Sequence, residues 1–586
     1  MLVWQECTLE DLLKMTPLNI TTHYSLLEGL SKPQQIIDRC KELGYTSCAI
    51  TDHNSISGCV GFFKAAKSAG IKPILGVTYD IEGFDDTIII LAKNYDGWKE
   101  LIRLTSLIYK KDKREISLTD LGDSNFEDLV FISNSTDHEL IANLKTFNEF
   151  EDKAFLIGMD YKTLQDQTYT SNIGEEFDIP VVAIPSCYYP SEESSFDYQA
   201  LLCVKMKTTY PKAAIKLEEF PELKKFFTDK SYHLKTREEL AEFSDTTLKN
   251  SDMVSDMCED YDILSEPKFP HFECPDNLTE TEYIRELCEK GWKNILERRG
   301  AFKLNSEEIY KKRLEEELTI IKEANLEGYF LIVQDFVNWG RDKGWFMNPG
   351  RGSAAGSLVS YLLRINLVDP IPFGLIFSRF YNNARKGSLP DIDVDFPKLK
   401  RQECIQYVTD KYGKEKVSSL VTFGRLMGRG AIKEVLRIHE ACDFKQMNNI
   451  TEKIPEPAEI ADKMEESDET SVLNWILDNR PEVISDYCVK EENGNLTGEY
   501  ATYFEQAIRL EGTFKSEGKH AAGIIISSSD LSNECPMIRD GDGFKAAFEM
   551  KEMEGLGNVK FDLLSVNNLD KLGATNELLE NGEFYG

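Results

Sequence analysis

The residues whose types and spacing could do chemistry lie in Ser388-Leu-Pro-Asp-Ile-Asp-Val-Asp-Phe396, where carboxylates alternate with apolar side chains. Read as a strand, the period of two puts Asp391, Asp393 and Asp395 on one face and Ile392, Val394 and Phe396 on the other, against a core. Aspartates gathered on one face repel each other, and burying them uncompensated costs several kcal/mol, so a cation is expected to hold them. Mg²⁺ suits the donors: it takes carboxylate oxygens at about 2.0–2.1 Å and keeps positions open for water and phosphate. Two such ions about 3.5–4 Å apart can activate an attacking oxygen and stabilise a leaving one. A further carboxylate from a neighbouring strand is then needed. Asn558-Val-Lys-Phe-Asp-Leu-Leu564 offers Asp562, sharing a face with Lys560 while Val559 and Phe561 share the other.

Alone, an Asp-x-Asp strand is more often a solvated face than a metal site. The surrounding sequence changes that balance. Asn348-Pro-Gly-Arg-Gly-Ser-Ala-Ala-Gly-Ser357 runs straight into the apolar Leu358-Val-Ser-Tyr-Leu-Leu-Arg364. The pattern predicts a loop whose free N–H groups, at a helix N-terminus, face an anion, though without the Gly-Lys-Ser/Thr end of a P-loop. Ser353 serving simply as an N-cap is the plainer alternative. Phosphate cradle, paired aspartates and a strand Lys-x-Asp together describe metal-assisted phosphoryl transfer from a triphosphate.

At these residues a family resemblance becomes visible. Gly328-Tyr-Phe-Leu-Ile-Val-Gln-Asp335, Pro349-Gly-Arg-Gly-Ser353, Leu389-Pro-Asp-Ile-Asp-Val-Asp-Phe396, Thr422-Phe-Gly424, Gly518-Lys-His-Ala-Ala-Gly523 and Val559-Lys-Phe-Asp562 follow in order. The chain resembles the alpha subunits of bacterial DNA polymerase III, the C-family replicative polymerases. The resemblance implies catalytic, metal-binding aspartates at Asp393, Asp395 and Asp562, with Asp391 a supporting residue. It implies triphosphate contacts at Arg351, Gly352, Ser353 and Lys560, two Mg²⁺ ions, and attack of a primer 3′-oxygen on the α-phosphate of a deoxynucleotide. Lys519 and His520 are candidates for phosphate or template contact, His520 being equally well a buried hydrogen-bonding residue.

The elements that must position these residues come from a chain of 586 residues, long enough for three or four domains. Residues 1–268 alternate apolar runs, such as Ser47–Thr51, Lys72–Gly76, Thr87–Ala92, Asp128–Ser133 and Pro180–Ile184, with amphipathic segments, an α/β pattern compatible with a barrel. Tyr24-Ser-Leu-Leu-Glu-Gly29, Ile50-Thr-Asp-His53, Gly70-Ile-Lys-Pro-Ile-Leu-Gly76 and Leu91-Ala-Lys-Asn94 resemble the polymerase-and-histidinol-phosphatase (PHP) domain. Metal-binding members of that family use a cluster of His, Asp and Glu. Here the corresponding positions are Asn19, Thr21, Thr78, Thr87 and Ser186-Cys-Tyr188, and only Asp52 and His53 survive. Hydroxyls and amides do not replace imidazoles for a transition metal, so no zinc and no phosphoesterase or proofreading activity are expected there. His23, off the ligand positions, is expected at the surface.

The fold class expected is multidomain α/β and α+β: a PHP-type α/β barrel, a C-family (nucleotidyltransferase-like) palm with a mixed sheet, and a helical thumb insertion. Pro267, Pro270 and Pro275 mark a linker. The expected boundaries are 1–268 for the PHP-type domain, 269–424 and 511–565 for the palm, 425–510 for the thumb and 566–586 for the start of fingers. After Asp562 only 24 residues remain, fewer than the family's fingers, clamp-binding and oligonucleotide-binding regions need. A second polypeptide carrying those regions is one expectation; a truncated or relic chain is the other.

A net charge of −33 argues against a general affinity for DNA, whose phosphates are bound mainly by Lys and Arg. A local basic patch could still serve: Arg379, Arg385, Lys386, Lys398, Lys400, Arg401, Lys411, Lys414 and Lys416, then Arg425, Arg429, Lys433 and Arg437, the last three on one helical face. The acidic Glu465-Glu-Ser-Asp-Glu469 in the thumb segment faces solvent or a basic partner rather than phosphate. Thirteen cysteines without a Cys-x-x-Cys pair indicate neither a zinc ribbon nor a disulfide framework and fit a reducing cytoplasm. No secretory signal is seen, nor an apolar run near the ~18–20 residues that span a bilayer. The expected activity is DNA-directed DNA polymerisation on primer–template DNA with dNTPs. Rival expectations are a non-catalytic replisome-binding relic and a stand-alone metallophosphoesterase.

Overall fold

The computed structural model describes residues 15–147, 154–160, 164–298, 300–301, 305–381, 390–467, 469–541 and 543–581. Arg385, Lys386, Ser388 and Leu389 lie outside the described residues. The chain divides into two compact units: Met1–Asp262 with Phe423–Gly518, and Ile263–Thr422 with Lys519–Gly586. Strands are numbered along the whole chain.

In the first unit, runs of Ile, Leu and Val form β1 (Ser47–Ile50), β2 (Lys72–Ile81), β3 (Thr87–Ala92), β5 (Leu129–Ser133), β6 (Phe155–Met159) and β7 (Val181–Ala183), with β4 (Glu115–Ile116) beside β2. Their order is β1-β2-β3-β5-β6-β7, parallel at β1–β2, antiparallel at β2–β3 and β3–β5, parallel again at β5–β6 and β6–β7. The strands are apolar almost throughout because both faces are covered. Residues 17–21 curl the sheet toward closure. Pro17 and Ile20 accept the N–H groups of Ala49 and Thr51, while Thr21 and Asn19 exchange bonds with Cys187 beyond β7.

The later segment of this unit is helical, with Gly428–Ile438 and Ala501–Leu510 packed on each other and a small hairpin of β10 (Val489–Lys490) and β11 (Leu496–Thr497). Ala431, Ile432, Val435 and Leu436 form the apolar stripe of the first helix and meet Tyr198, Leu201 and Leu202 of the helix Ser195–Lys205 in one core. Asp197 is buried there because Arg509 grips both its oxygens at 2.6 and 3.0 Å and Gln506 donates at 3.1 Å.

The second unit is built on β8 (Val394–Pro397), β9 (Val417–Arg425, its last three residues counted with the first unit), β12 (Phe514–Ile526, its first five residues likewise), β13 (Met537–Asp540), β14 (Gly543–Ala546) and β15 (Lys560–Val566), in the order β13-β14-β9-β12-β15-β8. β15 is the hinge of the arrangement: antiparallel to β12, with Gly523 opposite Asp562, and parallel to β8, with Leu564 opposite Asp395. Phe396, Ile524, Ile526, Phe561 and Leu563 bury one face against the helix Glu327–Asp342, whose Phe330 and Phe336 lie in the same core. Among the described residues no helix is long and apolar enough to cross a membrane, and the twelve described cysteines are free thiols.

Candidate active site

The acidic stretch becomes regular only at Val394, where it joins β15; Asp391, Ile392 and Asp393 precede the ladder outside regular secondary structure. The buried Tyr329 hydroxyl fixes them by accepting the N–H of Ile392 at 3.0 Å. As a result, Asp391, Asp393 and Asp562 each bring a carboxylate oxygen within 4.8 Å of the others, the one such cluster of potential metal ligands among the described residues. Asp562 is only 6% exposed, Asp393 28% and Asp391 58%, so the group opens outward from a buried floor.

Two cations border this group. Lys560 Nζ lies 2.5 Å from Asp562 Oδ2 and 3.9 Å from Asp391 Oδ2. Burial opposes the charge on Lys560, but its hydrogen bond to Asp562 and the surrounding carboxylates raise its pKa. Arg351 places Nε 3.7 Å from Asp393 Oδ2 and donates from NH1 to Asp395 Oδ1 at 2.9 Å. Burial pushes the Asp391 carboxyl up to about 6, with Lys560 opposing and the charges of Asp562 and Asp393 adding to the rise. Among the described residues, buried Asp562 Oδ1 has no hydrogen-bond partner. An orphaned carboxylate oxygen among three clustered hard donors fits a divalent cation of the Mg²⁺ kind.

Asp395 does not join the cluster. Its second oxygen takes the Asn348 amide at 2.5 Å, and with Arg351 on the first it anchors the glycine loop instead. Gly352, at φ +62, carries that loop against the carboxylates: a Cβ there would lie 3.5 Å from Asp393 Oδ2. Gly352 and Ser353 open a cavity of about 590 Å³ lined also by Gly356, Gly374, Ile376 and Arg379, a size that fits a nucleotide.

The expected helix-N-terminal cradle takes a different form. The cap of the helix Leu358–Leu362 is Ser357, not Ser353, and its N-terminus is filled from inside. The fully buried Glu317 accepts from Ser357 Oγ at 2.9 Å and from the N–H groups of Leu358 and Val359 at 2.9 and 3.0 Å. Arg313 closes the arrangement, donating to Glu317 at 2.6 Å and to the carbonyls of Gly356 and Leu375. Any phosphate at this loop therefore meets the Gly352–Ser353 edge. Sequence reasoning missed Glu317, although a signal existed: it interrupts the buried stripe Tyr310, Leu314, Leu318, Ile321 with a charge.

Other expected residues are engaged by the protein itself. Lys519 pairs with Asp540 at 2.7 Å. Arg429, Lys433 and Arg437 share the helix Gly428–Ile438, but protein acceptors engage each of them: Ile454 O and Glu456, Asn448 Oδ1, and Glu434 with Thr208 O. Arg425 lies over the Phe514 ring at 4.9 Å. Arg401, a candidate for the basic patch, instead turns its guanidinium inward to Leu563 O at 2.6 Å and Ala522 O at 2.8 Å, bracing β15 against β12 beside Asp562.

Residues 282–565 match the family model described as the bacterial DNA polymerase III alpha NTPase domain, and residues 17–135 match the PHP domain. The chain carries these two domains and is similar along nearly its whole length to bacterial DNA polymerase III alpha subunits. It is 31% identical to the alpha subunit of Campylobacter jejuni over 97% of this chain and 50% of that protein, and 29% identical to that of Bacillus subtilis over 97% and 49%. It thus spans about half the length of the curated relatives it matches. Among solved structures, an amidohydrolase from Chromobacterium violaceum is 16% identical over 30% of this chain and 88% of that chain, with a TM-score of 0.22.

In the PHP domain, the positions expected to have lost their ligands are tied into the fold. Asn19 donates to Ser186, Ser186 to Asp160, and Thr78 to the Thr51 carbonyl, while Thr87 accepts from Asn134. Tyr188 packs among Tyr198, Phe226 and Tyr232. Asp52 accepts from Thr22 and Ser25, and His53 is clamped on both ring nitrogens, by Glu28 at 2.7 Å and Asp80 at 2.9 Å. His23 is not at the surface as expected. It is buried, stacked on Phe514 with centroids 3.9 Å apart, and burial takes its pKa down to about 3. An imidazole that stays neutral serves as an aromatic core side chain, which its position near a polar motif did not reveal.

Proposed function

We propose that this chain is the catalytic part of a DNA-directed DNA polymerase, acting on primer–template DNA and deoxynucleoside triphosphates. The observation that carries the reading is the cluster of Asp391, Asp393 and Asp562 beneath the Gly352–Ser353 loop, with an orphaned Asp562 oxygen at its floor. These three carboxylates would hold two Mg²⁺ ions. Asp395, with both oxygens occupied by Arg351 and Asn348, is assigned the placing of Arg351. Bound Mg²⁺ supplies the acidification of a primer hydroxyl and the neutralisation of a leaving pyrophosphate.

The chain's own residues supply position and charge. The cluster presents three carboxylates bordered by Lys560 and Arg351. Arg351, Gly352, Ser353 and Lys560 are assigned to the triphosphate, Arg351 by its bidentate guanidinium and Gly352 by close backbone approach. Tyr329 and Arg401 keep the two acidic segments at their separation through backbone contacts. The segment 425–510 is assigned to the thumb and 269–424 with 511–565 to the palm. The PHP-type domain is assigned a structural role, supported by the engagement of His53 on both ring nitrogens and by Tyr188 in an aromatic cluster. Stoichiometric zinc in the purified chain would overturn that role.

The test is primer extension by the purified chain with Mg²⁺ and dNTPs, alone and with lysate of its source, alongside Mn²⁺ titration followed by electron paramagnetic resonance. Saturable Mn²⁺ binding that Asp393→Asn removes, with extension that the same change abolishes, is the expected result. Dependence on lysate would point to a separate polypeptide completing the enzyme. A folded Asp393→Asn chain that still extends primers would refute the assignment.

A further inference from the structure

His520 sits where β12 passes the carboxylate cluster, yet the roles assigned above leave it unused. Its Nδ1 accepts two backbone N–H groups, from Gly523 at 2.8 Å and Ala522 at 3.3 Å. A ring nitrogen that accepts holds no proton, so the neutral imidazole carries its proton on Nε2. The backbone thus fixes the tautomer. Among the described residues Nε2 has no hydrogen-bond partner, and it is not enclosed away from solvent.

The ring stands close to the chemistry. A Cβ on Gly523 would meet His520 Nδ1 at 3.2 Å, His520 Cε1 at 3.3 Å and Lys560 Cε at 3.3 Å, so the imidazole and the Lys560 stem flank the same backbone position. That position is the strand partner of Asp562. A purely structural brace needs only the accepting nitrogen, which an asparagine could supply. Histidine adds a second, outward nitrogen held in the donor state beside an ammonium group. An uncharged fixed donor next to a lysine suits an oxygen of a phosphate, an acceptor-only ligand.

We propose that His520 is a substrate-binding residue, donating from Nε2 to a phosphate oxygen of the substrate seated beside Lys560 and Asp562. The inference rests on the polymerase reading and adds to it a residue with one structural and one substrate-facing nitrogen. The phosphate belongs either to the incoming nucleotide or to the primer strand, and the two are separable by experiment.

Binding to the full chain is measured for dGTP with Mg²⁺ by calorimetry and for a primer–template duplex by fluorescence anisotropy, in wild type, H520N and H520Q, with melting temperatures recorded in parallel. Asparagine keeps an acceptor at the Nδ1 position and has no donor at Nε2; glutamine places an amide nitrogen near Nε2. Loss of one phosphate hydrogen bond is expected to weaken binding by H520N roughly five- to tenfold at unchanged melting temperature, with H520Q close to wild type. Weakening toward dGTP assigns the nucleotide phosphate, and weakening toward duplex assigns the primer. Wild-type binding of both probes by H520N overturns the inference and leaves the polymerase reading standing. Equal losses in both variants, each with a lowered melting temperature, overturn it in favour of the brace alone. Failure of the wild-type chain to bind either probe overturns the polymerase reading and this inference together.

Discussion

Glu317→Ala offers the sharpest test of how the glycine loop is held. The carboxylate is fully buried and accepts from Ser357 Oγ, from the N–H groups of Leu358 and Val359, and from Arg313. Its removal leaves the half-buried Arg313 guanidinium with only the Gly356 and Leu375 carbonyls, and two helix-terminal N–H groups without their acceptor. Removing one partner of a buried ion pair costs about 3–5 kcal/mol. The two orphaned N–H groups, at about 1–3 kcal/mol each, lead independently to the same range. A loss of about 3–5 kcal/mol is therefore expected in urea unfolding of this unit, with hydrogen exchange accelerated at residues 357–363. Glu317→Gln keeps one accepting oxygen and should lose about half as much, roughly 1–3 kcal/mol. Formate should partly restore the alanine variant, because an anion at a helix N-terminus beside an arginine recreates the removed contacts. A loss below about 1 kcal/mol, or equal effects of Ala and Gln, would refute the claim that this carboxylate organises the loop.

Further expectations follow from the same geometry. Asp391→Asn should weaken Mn²⁺ binding by about tenfold or more while Asp395→Asn changes it little, since Asp395 is engaged by Arg351 and Asn348; the reverse order in a paramagnetic titration would return the site to the Asp393–Asp395 pair. His23, with its pKa lowered to about 3 by burial, stays neutral in the fold while the unfolded chain takes up a proton below about 6.5. The unfolded state then binds more protons between these values, so the first unit should lose stability as pH falls from 6.5 toward 3, and His23→Phe should flatten that slope in acid-unfolding curves. Gly291→Ala should destabilise the second unit by about 2–4 kcal/mol in urea, because a Cβ there would meet the Leu362 carbonyl oxygen at 2.3 Å; an unchanged midpoint would deny that close helix contact.

Much of this fold was legible because strand runs such as Thr87–Ala92 and Leu129–Ser133 are apolar on both faces and bounded by polar segments. The identity of the acidic cluster was less so. The period-of-two argument holds only inside a ladder, and the ladder begins at Val394, so Asp391 and Asp393 take their places from the bond between Tyr329 and Ile392. Nothing in the spacing distinguishes Asp391 from Asp395. Basic residues misled in a related way: charge alone does not say whether Arg429 or Arg401 faces solvent or a backbone carbonyl, and both found carbonyls. Long-range partners such as Asp197 and Arg509 leave no local pattern at all.

That last pair has a consequence for how the protein is made. Asp197 and Arg509 are 312 residues apart, and the core around the helix Ser195–Lys205 is completed by side chains from Leu426 onward. At about 5–20 residues per second, a ribosome needs roughly 15–60 s to deliver the arginine after the aspartate has been made. Throughout that interval the nascent chain carries a half-finished apolar surface and an unneutralised carboxylate destined for burial. Chains released before Phe423 should therefore be prone to aggregation or be held by chaperones, and biogenesis of the first unit is tied to complete translation of the segment that interrupts it.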